Sequence, residues 1–131
     1  EAKSFGCKIY PSIEDLLKDA QFISLHIPAT PKTKNIINET RINLMRTDAM
    51  LINTARGDLI DEEALINALK NNKIAGAALD VYKQEPLENK ELMGFKGKLL
   101  LTPHIGSQTE ETQISAATGV AEKMCDYFKK L

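Results

Sequence analysis

The sequence predicts an α/β fold in which helices flank a parallel sheet. Two observations predict it. Short apolar runs recur without polar alternation, the pattern of strands buried on both faces. Between them lie stretches with helical spacing, opened by Ser, Asn or Asp and joined by short loops, which argues for right-handed strand–helix–strand units.

Each element follows in order. Ser12 with Asp15 reads as a capping box that opens a short helix through Ala20. Phe22 to Ile27 reads as the first strand, stopped by Pro28, and a loop runs on to Thr33. Asn38 caps a short helix carrying Ile42 and Met45, and the second strand runs from about Ala49 to Asn53. Asp61 caps the next helix, where Ala64, Leu65, Ala68 and Leu69 share a face until Asn71 and Asn72 end it. A strand from about Ile74 to Val81, a Pro-containing loop, a short helix near Leu92 and a last strand from Lys98 to Thr102 complete the sheet. Ser107 with Glu110 reads as a second capping box. Behind it Ile114, Ala117, Ala121, Met124 and Phe128 form a stripe for packing, and Lys129 and Lys130 suit the helix dipole. At about 1.5 Å per residue, a helix from Ser107 to Lys130 is roughly 36 Å long, more than covering this sheet requires.

At 131 residues the chain can bury one real core. Its net charge of -1, with both signs interspersed, gives no nucleic-acid surface and no polybasic membrane patch. No apolar stretch approaches the roughly 20 residues that span a bilayer. Cys7 and Cys125 lack metal spacing and read as reduced thiols in a cytoplasmic protein. Met45, Met50, Met93 and Met124 fall on or near apolar faces and read as core. The first residue is Glu, with no signal-peptide pattern, and the chain is expected to be a piece of something longer.

Three residues stand just past apolar runs: Arg56, Glu85 and His104. In an open α/β sheet ligands bind beyond the carboxyl ends of the parallel strands, so groups distant in sequence can converge there. Each also has a plainer reading. Arg56 can be a solvated charge, Glu85 a loop residue beside Pro86, His104 a helix cap, and Asp80 a turn former. His26 reads equally as a strand-end histidine, and neither histidine has a partner at zinc-ligand spacing. Gly57 and Gly76 read as backbone positions, for close approach in a loop and for strand packing or a bulge. The seven glycines contain no GxGxxG after a strand and no P-loop. No acidic residue for ribose hydroxyls is identifiable at the end of a following strand. If this is a nucleotide-binding domain, its first half is missing.

Four segments carry a resemblance. They are His26-Ile27-Pro28 with the following Thr-Pro-x-Thr, and the run from Asn53 through Arg56-Gly57-Asp58 to Glu62. After them come Gly76-Ala77-Ala78-Leu79-Asp80-Val81-Tyr82 with Glu85-Pro86, and Thr102-Pro103-His104-Ile105-Gly106. In order, spacing and residue type the chain resembles the D-isomer-specific 2-hydroxyacid dehydrogenase family from end to end. The resemblance implies a Rossmann-like fold that is incomplete, lacking the first βαβ unit with its Gly-rich loop. Residues 1–131 would be part of an NAD-binding domain, with about 107–131 a long helix crossing toward a substrate domain that is missing. It implies an NAD-dependent oxidoreductase of EC 1.1.1 type acting on a D-2-hydroxy acid or 2-oxo acid. Its motifs are most like the phosphoglycerate dehydrogenase and glyoxylate/hydroxypyruvate reductase branches, with D-3-phosphoglycerate dehydrogenase the leading expectation. Glyoxylate/hydroxypyruvate reductase is the alternative, followed by a non-catalytic dinucleotide-sensing module. Relatives of that last kind carry a Trp after the His motif, and this chain has none.

The resemblance also implies a homodimer in the intact protein. Without the Gly-rich loop the fragment is expected to be inactive alone, and its charge and hydropathy argue against nucleic-acid and membrane partners. Its chemistry agrees with the residue types. A guanidinium at Arg56 meets a substrate carboxylate with two parallel hydrogen bonds. His104 is the proton donor, since an imidazole titrates near working pH, and Glu85 orients it and favours the imidazolium. Asp80 is expected to bond the nicotinamide carboxamide. Thr54, Ala55 and Arg56, with His104, Gly106 and Ser107, are expected to line the nicotinamide pocket, and Ile27 the adenosine side, with Pro28 shaping that turn of the cofactor site.

Overall fold

The structure is a computed structural model, and it describes residues 2–129. Four parallel strands lie in the order in which the chain makes them: β1 (Phe22–Leu25), β2 (Met50–Asn53), β3 (Gly76–Leu79) and β4 (Leu99–Leu101). Between and around them run α1 (Ile13–Asp19), α2 (Glu39–Ile42), α3 (Glu62–Lys70), α4 (Lys90–Met93) and the long α5 (Glu110–Phe128). Consecutive parallel neighbours joined by helices put every strand's carboxyl end on the same edge of the sheet.

Capping residues set the starts of α1, α2 and α3 where the sequence places them. The side chains of Ser12, Asn38 and Asp61 accept from the amides of Asp15, Arg41 and Ala64. The last helix differs: Thr109, not Ser107, is its cap, accepting from the Thr112 amide. Because the helix begins at Glu110, the hydroxyl placed to accept one of its first free amides is that of Thr109. Lys129 is the C-cap of α5, and Lys130 lies outside the described residues.

The strands are shorter than the apolar runs. Ala49, Ile74 and Val81 are buried yet stand outside the ladders. An apolar run reports burial, whereas a strand ends where its neighbours stop pairing, and β4 offers only three residues.

The register assembles the core in rows. Ile23, Leu51 and Ala77 are partners in one row, and Leu25, Asn53 and Leu79 in the next; all six are buried. Leu17 of α1, Ile42 of α2, Leu65 and Leu69 of α3 and Leu92 of α4 join the same cluster. Burial on both faces holds for β3 alone, because β1 and β2 alternate between covered and open positions. On the open face Phe22 is 68% and Leu100 63% exposed. The physical reason is that α5 buries none of its residues, so the stripe containing Ile114, Met124 and Phe128 covers no part of this sheet. Of the methionines, Met45 is core and Met50 half-buried, but Met93 and Met124 are exposed. Cys7 and Cys125 are free and exposed.

Candidate active site

β2, β3 and β4 end side by side, and the segments that leave them form one edge of the molecule. Arg56 lies past β2, Asp80 and Glu85 past β3, and His104 past β4.

The turn after β2 is built by Asn53. Its buried side chain accepts the Ala55 amide at 3.1 Å and donates to the Arg56 carbonyl at 2.9 Å. A buried amide satisfied on both sides fixes the path of the three residues it spans. Arg56 is exposed at the end of this turn, with Nη1 donating to the Ala55 carbonyl at 2.6 Å. Gly57 is held by space: a Cβ there would come within 1.9 Å of the Tyr82 carbonyl carbon. The loop carrying the arginine thus rests directly on the backbone leading to Glu85. Gly76 answers a similar demand inside β3, where a Cβ would meet the Lys98 carbonyl oxygen at 2.5 Å.

Tyr82 ties the ends of β3 and β4 together. Its hydroxyl is shared between the carbonyls of Leu79 at 3.1 Å and Thr102 at 2.7 Å. Burial, and then the nearby Asp80 charge, push its phenol up, so it stays a neutral donor. Its amide donates to Glu85 Oε1 at 3.0 Å, while Glu85 Oε2 meets His104 Nδ1 at 2.7 Å. The hydrogen bond with His104, and after it the Tyr82 amide, hold the Glu85 carboxyl below its usual range. An ionised carboxylate can only accept, so Nδ1 carries the hydrogen of this contact. Nε2 makes no hydrogen bond among the described residues.

The backbone of His104 is as specific as its ring. Its φ is +54°, a left-handed conformation that a side chain disfavours by roughly 1–2 kcal/mol. The compensating contacts come from Asp80, 6% exposed: the amides of Ile105 and Gly106 donate to Oδ1 and Oδ2, each at 2.9 Å, and the Thr102 hydroxyl donates to Oδ1 at 2.5 Å. Hydrogen bonds to an ionised group contribute about 1.5–3 kcal/mol each, so the carboxylate outweighs the strain. Burial is the largest single influence on the Asp80 carboxyl and raises it. The Thr102, Ile105 and Gly106 bonds together prevail, and its pKa is lowered. Gly106 leaves room for this approach, since a Cβ there would sit 3.0 Å from Asp80 Oδ2.

The edge therefore brings Glu85 and His104 into contact and hangs both from β3. It does not bring Arg56 to them: the guanidinium makes no hydrogen bond or ion pair with either residue among those described. A cleft of about 400 Å³ opens beside the pair, walled by Leu87, Met93, Leu101 and Pro103, and Arg56 is not part of its lining.

The remaining candidates keep to the same edge. Ile27 and Pro28 follow β1, with the Pro28 carbonyl accepting from Thr33 Oγ1 at 2.7 Å. Thr54 is exposed and Ala55 half-buried on the Asn53 turn, and Ser107 follows Gly106 with its carbonyl 3.3 Å from Gln113 Nε2. His26 meets Ser24 Oγ at 2.8 Å. Asn53, Tyr82 and Thr102 position the site, and sequence reasoning had not singled them out. The available signal was a polar group at the end of an apolar run, which must find a buried partner.

The chain is similar to known proteins in sequence and in fold. Residues 1–106 match the model of the D-isomer specific 2-hydroxyacid dehydrogenase NAD-binding domain. The chain is 46% identical over 125 residues to a D-3-phosphoglycerate dehydrogenase of Synechocystis, covering 95% of this chain and 22% of that protein. It is 47% identical over 146 residues to a glyoxylate reductase of Thermococcus litoralis, covering 98% of this chain and 44% of the relative. Among solved structures, the apo D-mandelate dehydrogenase of Rhodotorula graminis superposes with a TM-score of 0.79 at 37% identity, over 85% of this chain and 32% of that one. The chain thus spans less than half the length of the curated relatives it matches. The fold is the Rossmann-like fold of these dehydrogenases.

Proposed function

The chain belongs to the D-isomer-specific 2-hydroxyacid dehydrogenase family, and from that premise we propose that the intact protein transfers a hydride between NAD and a D-2-hydroxy acid or its 2-oxo acid. The observation that carries the reading is the His104–Glu85 contact at 2.7 Å, one strand away from the turn that presents Arg56. D-3-phosphoglycerate is the first substrate to test. Glyoxylate or hydroxypyruvate is the second, because relatives bearing both names match this chain equally well.

In this reading each group has one task. Arg56 binds the substrate carboxylate through its two-pronged guanidinium. Glu85 holds the His104 ring by Nδ1, and Nε2 gives a proton to the carbonyl oxygen in reduction and recovers it in oxidation. NADH, when bound, supplies the hydride. The residues present fit its nicotinamide end. A carboxylate has about four acceptor positions. Asp80 uses two on Oδ1 and one on Oδ2, which leaves a place for a carboxamide N–H. Thr54, Ala55, Arg56, His104, Gly106 and Ser107 would line that end, and Ile27 and Pro28 the adenosine side.

We read residues 1–131 as part of the NAD-binding domain, with α5 reaching toward a substrate domain. The support is that α5 stands away from the sheet with no buried residue. The intact protein is proposed to be a cytoplasmic homodimer without membrane or nucleic-acid partners, and the 131-residue chain alone to be inactive. No helix among the described residues is long and apolar enough to cross a membrane.

The test is NADH consumption by the complete gene product and by this chain, with phosphohydroxypyruvate, hydroxypyruvate, glyoxylate and pyruvate. Turnover by the complete protein alone is expected, and the preferred acid names the branch. NADH binding without turnover of any of the four would overturn the catalytic reading in favour of a dinucleotide sensor.

A further inference from the structure

We infer that Asp80, with Thr102, is a positioning residue for His104: it fixes the left-handed backbone that carries the imidazole to Glu85. This rests on the proposed function only in naming His104 as the proton donor; the positioning itself is a matter of geometry. His104 leaves β4 through Pro103 and must reverse direction for its ring to meet a carboxylate held by the neighbouring strand. A positive φ of +54° makes that reversal, and it leaves the next two amides, Ile105 and Gly106, aimed at one point. Successive amides converging in this way form an anion-binding nest. The Asp80 carboxylate occupies it, with one oxygen on each amide at 2.9 Å.

Thr102 closes the arrangement on the other side of His104. Its hydroxyl donates to Asp80 Oδ1, its carbonyl accepts from Tyr82 at 2.7 Å, and its amide donates to the Leu79 carbonyl at 3.0 Å. The segment 102–106 is therefore gripped before and after the histidine by one buried side chain just past β3. Glu85, from the loop after the same strand, holds the ring. Two carboxylates divide the work: Asp80 fixes where the backbone turns, and Glu85 fixes how the imidazole faces. Three of the four acceptor positions of Asp80 serve this loop, and the fourth is left for the nicotinamide contact proposed above.

The experiment uses Thr102→Val, Thr102→Ser and Asp80→Asn in the complete protein, with steady-state kinetics. Amide shifts and hydrogen exchange of Ile105 and Gly106 are followed by NMR in parallel. Thr102→Val is expected to lower kcat by about tenfold, since sub-ångström misplacement of a catalytic group has effects of this order. KM for NADH should stay within about twofold of wild type, as Thr102 is placed on no cofactor contact and small positional changes fall on the chemical step. Thr102→Ser, which keeps the hydroxyl, should restore kcat. Asp80→Asn should speed exchange at Ile105 and Gly106. The inference is overturned if Thr102→Val raises KM for NADH with kcat intact, or if Thr102→Ser fails as badly as valine. It is also overturned if the two amides exchange unchanged in Asp80→Asn. If the wild-type protein turns over no 2-oxo acid, the exchange measurements still decide the positioning, so failure of the function and failure of this inference are distinguishable.

Discussion

Gly57 and the carbonyl of Tyr82 are packed so closely that no side chain fits between them; a Cβ at Gly57 would lie 1.9 Å from the carbonyl carbon and 2.1 Å from its oxygen. This contact joins the two halves of the proposed site. Asn53 shapes the turn that ends in Arg56, Gly57 sets that turn against Tyr82, and the Tyr82 amide holds Glu85 at 3.0 Å. Arg56 and the Glu85–His104 pair do not touch, yet they are fixed relative to one another through backbone.

Replacing Gly57 by Ala tests this directly. The clash is with main chain, so no rotamer relieves it, and overpacking of this kind costs typically about 1–3 kcal/mol. Urea denaturation of Gly57→Ala should show a lower midpoint at an unchanged slope. A midpoint equal to that of wild type would mean that the two segments are free to part.

Replacing the Arg56 side chain is expected to affect substrate binding and to leave folding alone, because it is exposed and its one hydrogen bond among the described residues is to the neighbouring Ala55 carbonyl. Arg56→Ala should lower kcat/KM for the 2-oxo acid by roughly 10- to 100-fold, the equivalent of about 1.5–3 kcal/mol for a charge-assisted contact, mainly through KM. Arg56→Lys keeps the charge but loses the fork, and should recover only part of the loss. An unchanged KM in the alanine variant would remove Arg56 from the site.

That Arg56, Glu85 and His104 lie on one edge was legible because each follows an apolar run, and runs that form parallel strands finish on one edge; Arg56 nonetheless stands apart from the Glu85–His104 pair. The pairing of Glu85 with His104 was legible from residue type together with the family resemblance. Other features were hidden for physical reasons. The alternation of β1 and β2 depends on which face the helices cover, a tertiary fact that an unbroken apolar run does not contain. The cap of α5 went to Thr109 because Ser107 and Thr109 offer the same hydroxyl, and only the chain path after Gly106 decides between them. Tyr82 and Thr102 act through hydrogen bonds to partners far along the chain, so a polar group at the end of an apolar run does not by itself say whom it meets, whereas Asn53 acts locally, on the turn to Ala55 and Arg56.

Acid should loosen the loop around His104 through Asp80. The folded-state pKa of this carboxyl lies below its ordinary value of 3.8. A depressed carboxylate contributes its full stability above the unfolded value, and the contribution is lost as pH falls through the folded one. Wild-type chain should therefore be more stable than Asp80→Asn near neutrality, and the gap should narrow as pH falls below about 4. Chemical denaturation across a pH series reads this gap. A difference that stays constant to low pH would show that the ionised form of Asp80 is not what holds the loop.

Glu85 should matter to catalysis only through His104. Its carboxylate spends one oxygen on the Tyr82 amide and the other on Nδ1, and both are hydrogen bonds of position. Removing the imidazole in His104→Ala should cut kcat by roughly 10²- to 10⁴-fold, the usual worth of general acid–base catalysis. Glu85→Gln keeps the shape but loses the negative partner, and should cost less, about 10- to 100-fold. The decisive measurement is the double variant. If Glu85 works by orienting His104, its loss costs almost nothing once the ring is gone, and the double variant should match His104→Ala alone. Should the two effects instead multiply, Glu85 contacts the substrate on its own account, and the division of labour between ring and carboxylate would have to be redrawn.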